Sequence, residues 1–164
     1  MLQYLPSIRL TSLLLFLFAV AAMASMYYMQ FVMDLVPCPL CITQRIFMIA
    51  LGLVALVAAI HNPKAVGRRI YAGLGLLFTA GGWFFAFRHV GLQNLPEDQV
   101  PVCGPSLEYL LENFPLMQAL EVLLRGDGNC AEVVWEFGLT IPGWSLVGFS
   151  GLIIVHGWQL LRRQ

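Results

Sequence analysis

Four long apolar stretches, separated by charged or turn-forming segments, constrain this chain more than any other feature of its sequence. The stretches run over residues 10–29, 42–60, 70–89 and 144–161. A helix that crosses the apolar core of a bilayer needs about 20 consecutive, mostly apolar residues. Only 11% of the side chains are charged, whereas a soluble domain normally carries about 25%. The sequence therefore predicts an all-α membrane protein, a single domain (residues 1–164) built as a bundle of four transmembrane helices.

The first apolar stretch has a second interpretation, because a signal peptide that is removed after export also contains an apolar run. Ala22-Met23-Ala24 resembles the small-residue site at which such peptides are cut. However, only one arginine precedes the stretch, and aromatic and apolar side chains continue it past that site as far as Phe31. We therefore predict that this segment is kept as the first membrane span.

Charged residues are distributed unequally between the segments that connect the spans. All nine acidic side chains lie within residues 30–41 and 90–143. Basic residues without any acid flank the opposite ends of the spans: Arg9, Lys64, Arg68, Arg69, Arg162 and Arg163. Because short loops rich in Lys and Arg stay in the cytoplasm, we predict cytoplasmic termini, a cytoplasmic loop at 61–69, a short external loop at 30–41 and a long one at 90–143. The formal net charge of zero gives no indication of a nucleic-acid partner.

The long external loop contains one segment with helical periodicity. Over residues 115–125, leucines and an alanine recur at helical spacing on one side, with polar residues available for the other, and Gly126 begins a Gly-Asp-Gly-Asn run that ends the pattern. We predict a short amphipathic helix that either lies in the membrane interface or packs on the external ends of the spans. Both arrangements keep Cys130 near the membrane.

Cys38 and Cys41 stand in a Cys-x-x-Cys spacing where the second span begins. Pro39 suits the first turn of a helix that starts there, and Cys41 and Arg45 then lie on one face. Both the helix N-terminus and the guanidinium favour a thiolate at Cys41. A cation at the head of a span is costly unless it pairs, reaches the interface or serves a site. Arg45 therefore favours a reactive pair over an ordinary structural disulfide.

Cys103 and Cys130 lie in the long external loop, so all four cysteines are on the side of the membrane where disulfides persist. A disulfide between these two would be structural, adding about 3–4 kcal/mol through loop closure, or would exchange with the first pair. No metal site is predicted, because structural zinc sites usually pair short cysteine spacings and these two cysteines are isolated. A c-type haem would need a histidine after Cys41, and a thioredoxin-type domain would need a βαβ frame. A membrane dithiol–disulfide relay and two structural disulfides remain as interpretations.

Taken together, these motifs resemble the DsbB family of bacterial inner-membrane proteins over nearly the whole chain. The elements that match are the four spans, Pro37-Cys38-x-x-Cys41-Ile42-x-x-Arg45 at the start of the second, the cysteine pair of the long loop, and Cys130-Ala131-Glu132 followed by Trp135. His89 and Gln93 match the polar segment that ends the family's third span. In the DsbA–DsbB–quinone system, which is the standard example of how a periplasm is kept oxidising, DsbB reoxidises the thiol oxidase DsbA and passes the electrons to quinone.

The resemblance implies a route for the electrons. Cys103, in a disulfide with Cys130, would be attacked by a reduced DsbA-like partner in the periplasm, and the electrons would pass to a Cys38–Cys41 disulfide. Cys41 would be the thiolate that donates to the quinone, which is ubiquinone or menaquinone drawn from the pool in the membrane lipid. A crossover disulfide from Cys130 to either Cys38 or Cys41 would be an intermediate.

The resemblance also implies how the quinone site is built. Arg45 would stabilise negative charge on the donor sulfur and on the reduced quinone. His89 and Gln93 would line the site or supply protons, although a histidine at the end of a span is as often an interfacial residue. Arg88 and Gln44 are further candidates.

Three other functions compete with a DsbB that serves DsbA. A DsbB paralogue would serve a dedicated partner. A vitamin K epoxide reductase-like enzyme would carry its reactive Cys-x-x-Cys on a late span, whereas here the motif opens the second. A tetraspan scaffold with structural disulfides would have no use for Arg45, and the adjacent Cys-Cys-Gly of tetraspanins is absent.

Overall fold

Four long helices dominate the computed structural model, which describes residues 7–104 and 107–161. In chain order the α-helices are α1 (Ile8–Phe31), α2 (Pro39–His61), α3 (Ala65–Gln93), α4 (Leu107–Asn113), α5 (Leu116–Arg125) and α6 (Ile141–Leu161). By length and composition, α1, α2, α6 and residues 66–93 of α3 are able to cross a membrane. The predicted all-helical architecture with four apolar spans is confirmed.

The helices are longer than the apolar stretches, most clearly in α3. The sequence placed the third span at 70–89, but the helix starts four to five residues earlier and ends at Gln93. Charged residues such as Arg69 and Arg88 do not end a helix, because they retain their backbone N–H and fit its geometry. Pro63 precedes the start and Asn94 follows the end, and both are residues typical of helix boundaries.

The core of the bundle lies where α3 packs between α2 and α6, with α1 against α2. Gly82 of α3 lets α6 approach closely, since an added Cβ would clash with the ring of Phe149, which is fully buried. The Trp83 indole donates a hydrogen bond to the Ser150 hydroxyl at 3.0 Å. Small residues and shared hydrogen bonds of this kind join helices in lipid, where apolar burial alone gives little preference for helix–helix contact.

The amphipathic helix predicted for residues 115–125 is α5, and it packs against the first turns of α2. Ala119 is fully buried at this contact, and the Thr43 hydroxyl of α2 donates to the Leu123 carbonyl at 2.9 Å. On the outer side, Leu116 and Met117 are each 76% exposed in the isolated chain. The helix therefore packs on a span with one side, which is one of the two arrangements considered from the sequence, and presents apolar side chains on the other side.

Two further elements of the long loop were not predicted. The helix α4 precedes α5, and a two-stranded antiparallel hairpin joins β1 (Glu136–Phe137) to β2 (Leu139–Thr140) directly before α6. Gly138 turns the hairpin with φ +71°, a backbone conformation that glycine adopts without a steric penalty. These elements are too short for a periodicity signal.

Candidate functional site

The Cys-x-x-Cys motif forms the first turn of α2. Cys38 caps the helix with an extended backbone (φ −73°, ψ 165°), and its sulfur accepts a hydrogen bond from the Cys41 backbone N–H at 3.4 Å. Pro39 occupies the first turn, where its missing N–H removes no helical hydrogen bond. This turn brings the two sulfurs within 3.2 Å of each other, and both side chains are partly buried.

A histidine from α3 lies against both sulfurs. His89 is 2% exposed; its Nε2 is 3.6 Å from the Cys38 sulfur and its Nδ1 is 3.9 Å from the Cys41 sulfur. Nδ1 also lies 3.2 Å from the amide nitrogen of Gln44, a buried residue of α2. The structure thus brings His89 and Gln44 into one cluster with the cysteine pair.

The other two polar residues at the end of α3 differ in position. Gln93 lines a small cavity of about 30 Å³ together with Cys38, Cys41 and His89, and its amide nitrogen is 3.5 Å from the carbonyl of Glu132 in the long loop. The Arg88 guanidinium instead reaches the Leu124 carbonyl at 3.5 Å, on an exposed surface. Gln93 borders the cluster, whereas Arg88 lies outside it.

Arg45 lies one turn after Cys41, and its guanidinium contacts α1. It donates a hydrogen bond to the side-chain oxygen of Gln30, and its Cζ is 5.6 Å from the centroid of the Tyr27 ring, within the range of a cation–π interaction. Its buried Nε has no hydrogen-bond partner among residues 7–104 and 107–161. The positive charge is therefore held by neutral groups and retains a donor for a further acceptor.

Cys41, Gln44 and Arg45 line one cavity of about 50 Å³. The cavity adjoins an apolar groove of about 300 Å³ between α1 and α6, and the two share the residues Met26, Met29, Ile141 and Ser145. Sites for small organic cofactors combine apolar walls with a few polar groups in this way. The shape suits a molecule with a compact polar ring beside Cys41 and a long apolar tail along the spans.

Cys130 approaches the first pair from the long loop. It is fully buried in the tight 3₁₀ turn Gly128–Cys130, which packs against α2, and its thiol donates a hydrogen bond to the Asp127 carboxylate at 3.9 Å. Interaction with the Cys38 side chain, burial and the negative charge that Cys38 can carry raise the pKa of the Cys130 thiol above its usual value. The charge effect operates only while Cys38 is reduced, because a Cys38 in a disulfide carries no charge.

Cys103 is exposed and lies beside the same turn. The Asp127 carboxylate joins the two segments, because it accepts hydrogen bonds from the backbone N–H groups of Gly104 and Asn129, both at 3.1 Å. An added Cβ on Gly128 would lie 3.1 Å from the Cys103 sulfur. The two loop cysteines thus belong to one hydrogen-bonded unit, with one sulfur buried and the other open to solvent.

Comparison with known proteins identifies this arrangement. The family Disulfide bond formation protein DsbB matches residues 8–159. The chain belongs to the DsbB family. Disulfide bond formation protein B of Saccharophagus degradans is 56% identical over 160 residues, which cover 97% of this chain and 96% of that protein. The proteins of the same name from Nitrosococcus oceani and Stutzerimonas stutzeri are each 51% identical, over 95% and 97% of this chain and 93% and 98% of their own lengths.

The family match confirms the predicted resemblance and the predicted class, a membrane oxidoreductase of disulfide bond formation. It decides against the vitamin K epoxide reductase-like and scaffold alternatives. The disulfide pairings and the individual roles of Cys38, Cys41, Cys103, Cys130 and Arg45 stay predictions, since all four cysteines are thiols in this structure.

Two residues of the site were not singled out from the sequence. Asp127 is 5% exposed and fixes the Cys130 turn, but in the sequence it reads as one more polar residue of a turn that ends a helix. Gln30 accepts from Arg45; its only signal is that it is an amide side chain directly after an apolar stretch. Each forms a hydrogen bond with a residue of another segment, Asp127 with Gly104 and Gln30 with Arg45. Spacing along the chain does not indicate such contacts.

Proposed function

We propose that this protein reoxidises a periplasmic DsbA-like thiol oxidase and delivers the electron pair to membrane quinone. The observation that carries the proposal is the position of Cys130, which is fully buried in a turn packed against α2, while Cys41 lines the cavity beside the apolar groove. A loop sulfur, a dithiol at a helix start and a lipid-side cavity are therefore neighbours in the order in which the electrons would travel.

We further infer a multi-pass protein of the bacterial inner membrane with cytoplasmic termini. The four candidate spans and the bacterial relatives support this inference. Since α2 and α3 are antiparallel neighbours joined at 62–64, Lys64 and Arg69 lie at the end of the bundle opposite to the cysteines. The positive-inside rule then puts the cysteines on the periplasmic side.

The first exchange takes place at Cys103. A thiolate of the reduced partner attacks the Cys103 sulfur of a Cys103–Cys130 disulfide, so that a mixed disulfide forms and Cys130 leaves with the bonding electron pair. The partner's second thiolate then attacks its own half of the mixed disulfide and releases Cys103. Exposure of Cys103 and burial of Cys130 support this order, because exchange occurs at the sulfur that the attacking thiolate can reach.

The second exchange passes the electrons inward. Cys130 attacks Cys38 of a Cys38–Cys41 disulfide, so that a Cys38–Cys130 bond forms and Cys41 leaves as a thiolate. Cys103 then attacks Cys130, which re-forms the loop disulfide and leaves Cys38 reduced. Cys38, and not Cys41, is the cysteine that acts on the pKa of the Cys130 thiol, which supports this crossover over one to Cys41.

A quinone, when bound, supplies the acceptor for two electrons and two protons, and the Cys38–Cys41 disulfide is restored. Arg45 would hold the polar ring, because it lines a small cavity together with Cys41 and its buried Nε has no hydrogen-bond partner among the described residues. The guanidinium and the α2 N-terminus both stabilise negative charge on the Cys41 sulfur. His89 would take the Cys38 proton at Nε2, and the 3.6 Å separation of that nitrogen from the sulfur supports this role.

Thiol trapping in membranes tests the proposal. Wild type and Cys41→Ser are given reduced DsbA with and without added quinone, quenched with acid, alkylated and separated by gel. We expect quinone-dependent reoxidation of the wild-type cysteines and a stalled, partner-linked species in the variant. If all four cysteines stay oxidised whatever the supply of partner and quinone, the proposal is wrong; if only another periplasmic thiol protein is oxidised, the chain is a paralogue with a dedicated partner.

A further inference from the structure

The fold assembles a group of metal-ligand atoms that the sequence keeps apart. The sulfurs of Cys38 and Cys41 and a ring nitrogen of His89 lie within 4.8 Å of one another. The two sulfurs are 3.2 Å apart, and His89 Nε2 is 3.6 Å from the Cys38 sulfur. The cysteines come from the first turn of α2 and the histidine from the far end of α3, so only the packing of these helices creates the group.

These separations are close to those around a single tetrahedral ion. Zinc binds sulfur at about 2.3 Å and imidazole nitrogen at about 2.0–2.1 Å, which implies roughly 3.8 Å between two sulfur ligands and roughly 3.5 Å between sulfur and nitrogen. Small side-chain rotations would bring the three atoms to those values. Pro39 and the helical backbone fix the spacing of the two cysteines, so little of the chain needs to move.

Cys130 would be the fourth ligand. Its sulfur lies outside the group of atoms within 4.8 Å of one another, but the residue is fully buried in the turn Gly128–Cys130, which packs against both α2 and α3. A small inward shift of this turn would complete the set. A set of three thiolates and one imidazole matches the Cys₃His class of zinc sites. Soft ligands of this type favour zinc over magnesium or calcium, which prefer oxygen.

We propose that the reduced site binds Zn²⁺ through Cys38, Cys41, Cys130 and Nε2 of His89, and that the oxidised site does not. The ion displaces the protons that remain on the three thiols, and no electrons are transferred. A Cys38–Cys41 disulfide would remove two ligands at once, so the affinity depends on the redox state. The sequence argued against zinc because Cys130 is isolated along the chain, but the fold removes that objection.

Gln44 orients the histidine ligand. Its side-chain amide lies 3.2 Å from His89 Nδ1, and the residue is 2% exposed. If Nε2 binds the ion, Nδ1 carries the proton, and the Gln44 amide turns so that its oxygen accepts that proton. Partners of this kind typically change metal affinity by 10- to 100-fold.

The consequence is inhibition of the reduced protein. A zinc ion on these four groups would occupy both sulfurs that carry electrons and the sulfur that delivers them. Oxidation of the pair would be slowed until the ion leaves. Zinc binding itself requires neither partner nor quinone, so it is tested independently of the proposed electron route.

Metal titration of the full-length protein in detergent tests the proposal. The protein is reduced with a phosphine, which does not compete as a dithiol, and is titrated anaerobically with Cd²⁺ while thiolate-to-metal charge-transfer absorption is recorded. Zn²⁺ affinity is then measured by competition with a chromogenic chelator. We expect one ion per chain with the absorption of three thiolates, and affinity at least about 100-fold lower in the oxidised protein.

Variants separate this site from a simple dithiol. Cys130→Ser and His89→Ala should each weaken binding by at least about tenfold, while Cys103→Ser, which alters an exposed cysteine outside the group, should leave zinc affinity within about twofold. Gln44→Glu should strengthen zinc binding, since a carboxylate is a better hydrogen-bond acceptor for Nδ1–H than an amide oxygen. Because this variant keeps the size of the side chain, it tests the role of His89 even if His89→Ala does not fold. Equal binding by the oxidised protein, or no loss in Cys130→Ser, would overturn the proposal.

Discussion

Cys38 and Cys41 occupy the first turn of a 23-residue helix, whereas Cys103 and Cys130 lie on irregular segments joined by side-chain hydrogen bonds. The first pair is fixed relative to the spans, and both sulfurs border cavities. The second pair is divided, with Cys103 exposed and Cys130 buried in a turn that packs against α2. A rigid pair suits exchange with a lipid-side acceptor, and a divided pair suits exchange with a protein in solution.

The largest effect is expected from the sulfur that links the two pairs. Cys130→Ser should lower DsbA-driven quinone reduction by roughly three orders of magnitude or more, because loss of an essential nucleophile has effects of at least that size. Quinone reduction driven by a small dithiol, which reaches the first pair directly, should persist. Cys38→Ser should abolish both reactions. Equal losses in both assays for Cys130→Ser would contradict the division between the pairs.

The second-largest effect is expected when the positive charge of Arg45 beside Cys38 and Cys41 is removed. Arg45→Ala should lower dithiol-driven quinone reduction by about 100-fold and raise the KM for quinone, because a preorganised donor at developing charge has an effect of about that size. Arg45→Lys should recover part of the loss. The matched control is Arg88→Ala, whose guanidinium lies on an exposed surface and whose loss should change the rate less than about twofold. Similar losses in both arginine variants would show that the effect is not local to the cavity.

A smaller effect is expected when Asp127, which joins the segments that carry Cys103 and Cys130, is replaced. Asp127→Ala removes the acceptor for the Gly104 and Asn129 backbone N–H groups, at a local cost of about 1–3 kcal/mol. Partner-driven turnover should fall roughly tenfold, and alkylation of Cys130 in the reduced protein should become faster, while dithiol-driven turnover stays the same. Asp98→Ala, an exposed carboxylate of the same loop, is the control. Unchanged alkylation of Cys130 would mean that Asp127 does not shape this turn.

The smallest effect is expected at the contact between α5 and α2. Thr43→Val keeps the shape of the side chain but removes the hydroxyl that donates to the Leu123 carbonyl, which costs about 1 kcal/mol. Hydrogen exchange in α5 should become a few-fold faster, with turnover nearly unchanged. Thr43→Ser keeps the hydroxyl and should behave as wild type. If the valine variant exchanges no faster, the packing of Ala119 alone fixes the helix.

The sequence was sufficient for the spans and the start of α2, because ionisable-free runs and a Pro at the first helical turn are local signals. It was not sufficient for the rest of the site. His89 meets the cysteines and Gln44 only through the packing of α3 against α2. A helix surrounded by lipid is apolar on all sides, so periodicity does not reveal which side faces inward. The approach of Cys130 to Cys38 depends on the turn fixed by Asp127, which no spacing along the chain encodes.

The groove between α1 and α6 lies along the membrane-spanning parts of both helices. A molecule that uses it arrives by lateral diffusion within the bilayer, not from the aqueous phase. The rate at which it reaches the site then depends on its mole fraction among the lipids of the bilayer, and not on its amount per volume of sample. Added inert lipid should slow turnover at a constant amount of quinone per volume of sample, and kinetic constants should be compared only at matched lipid-to-quinone ratios.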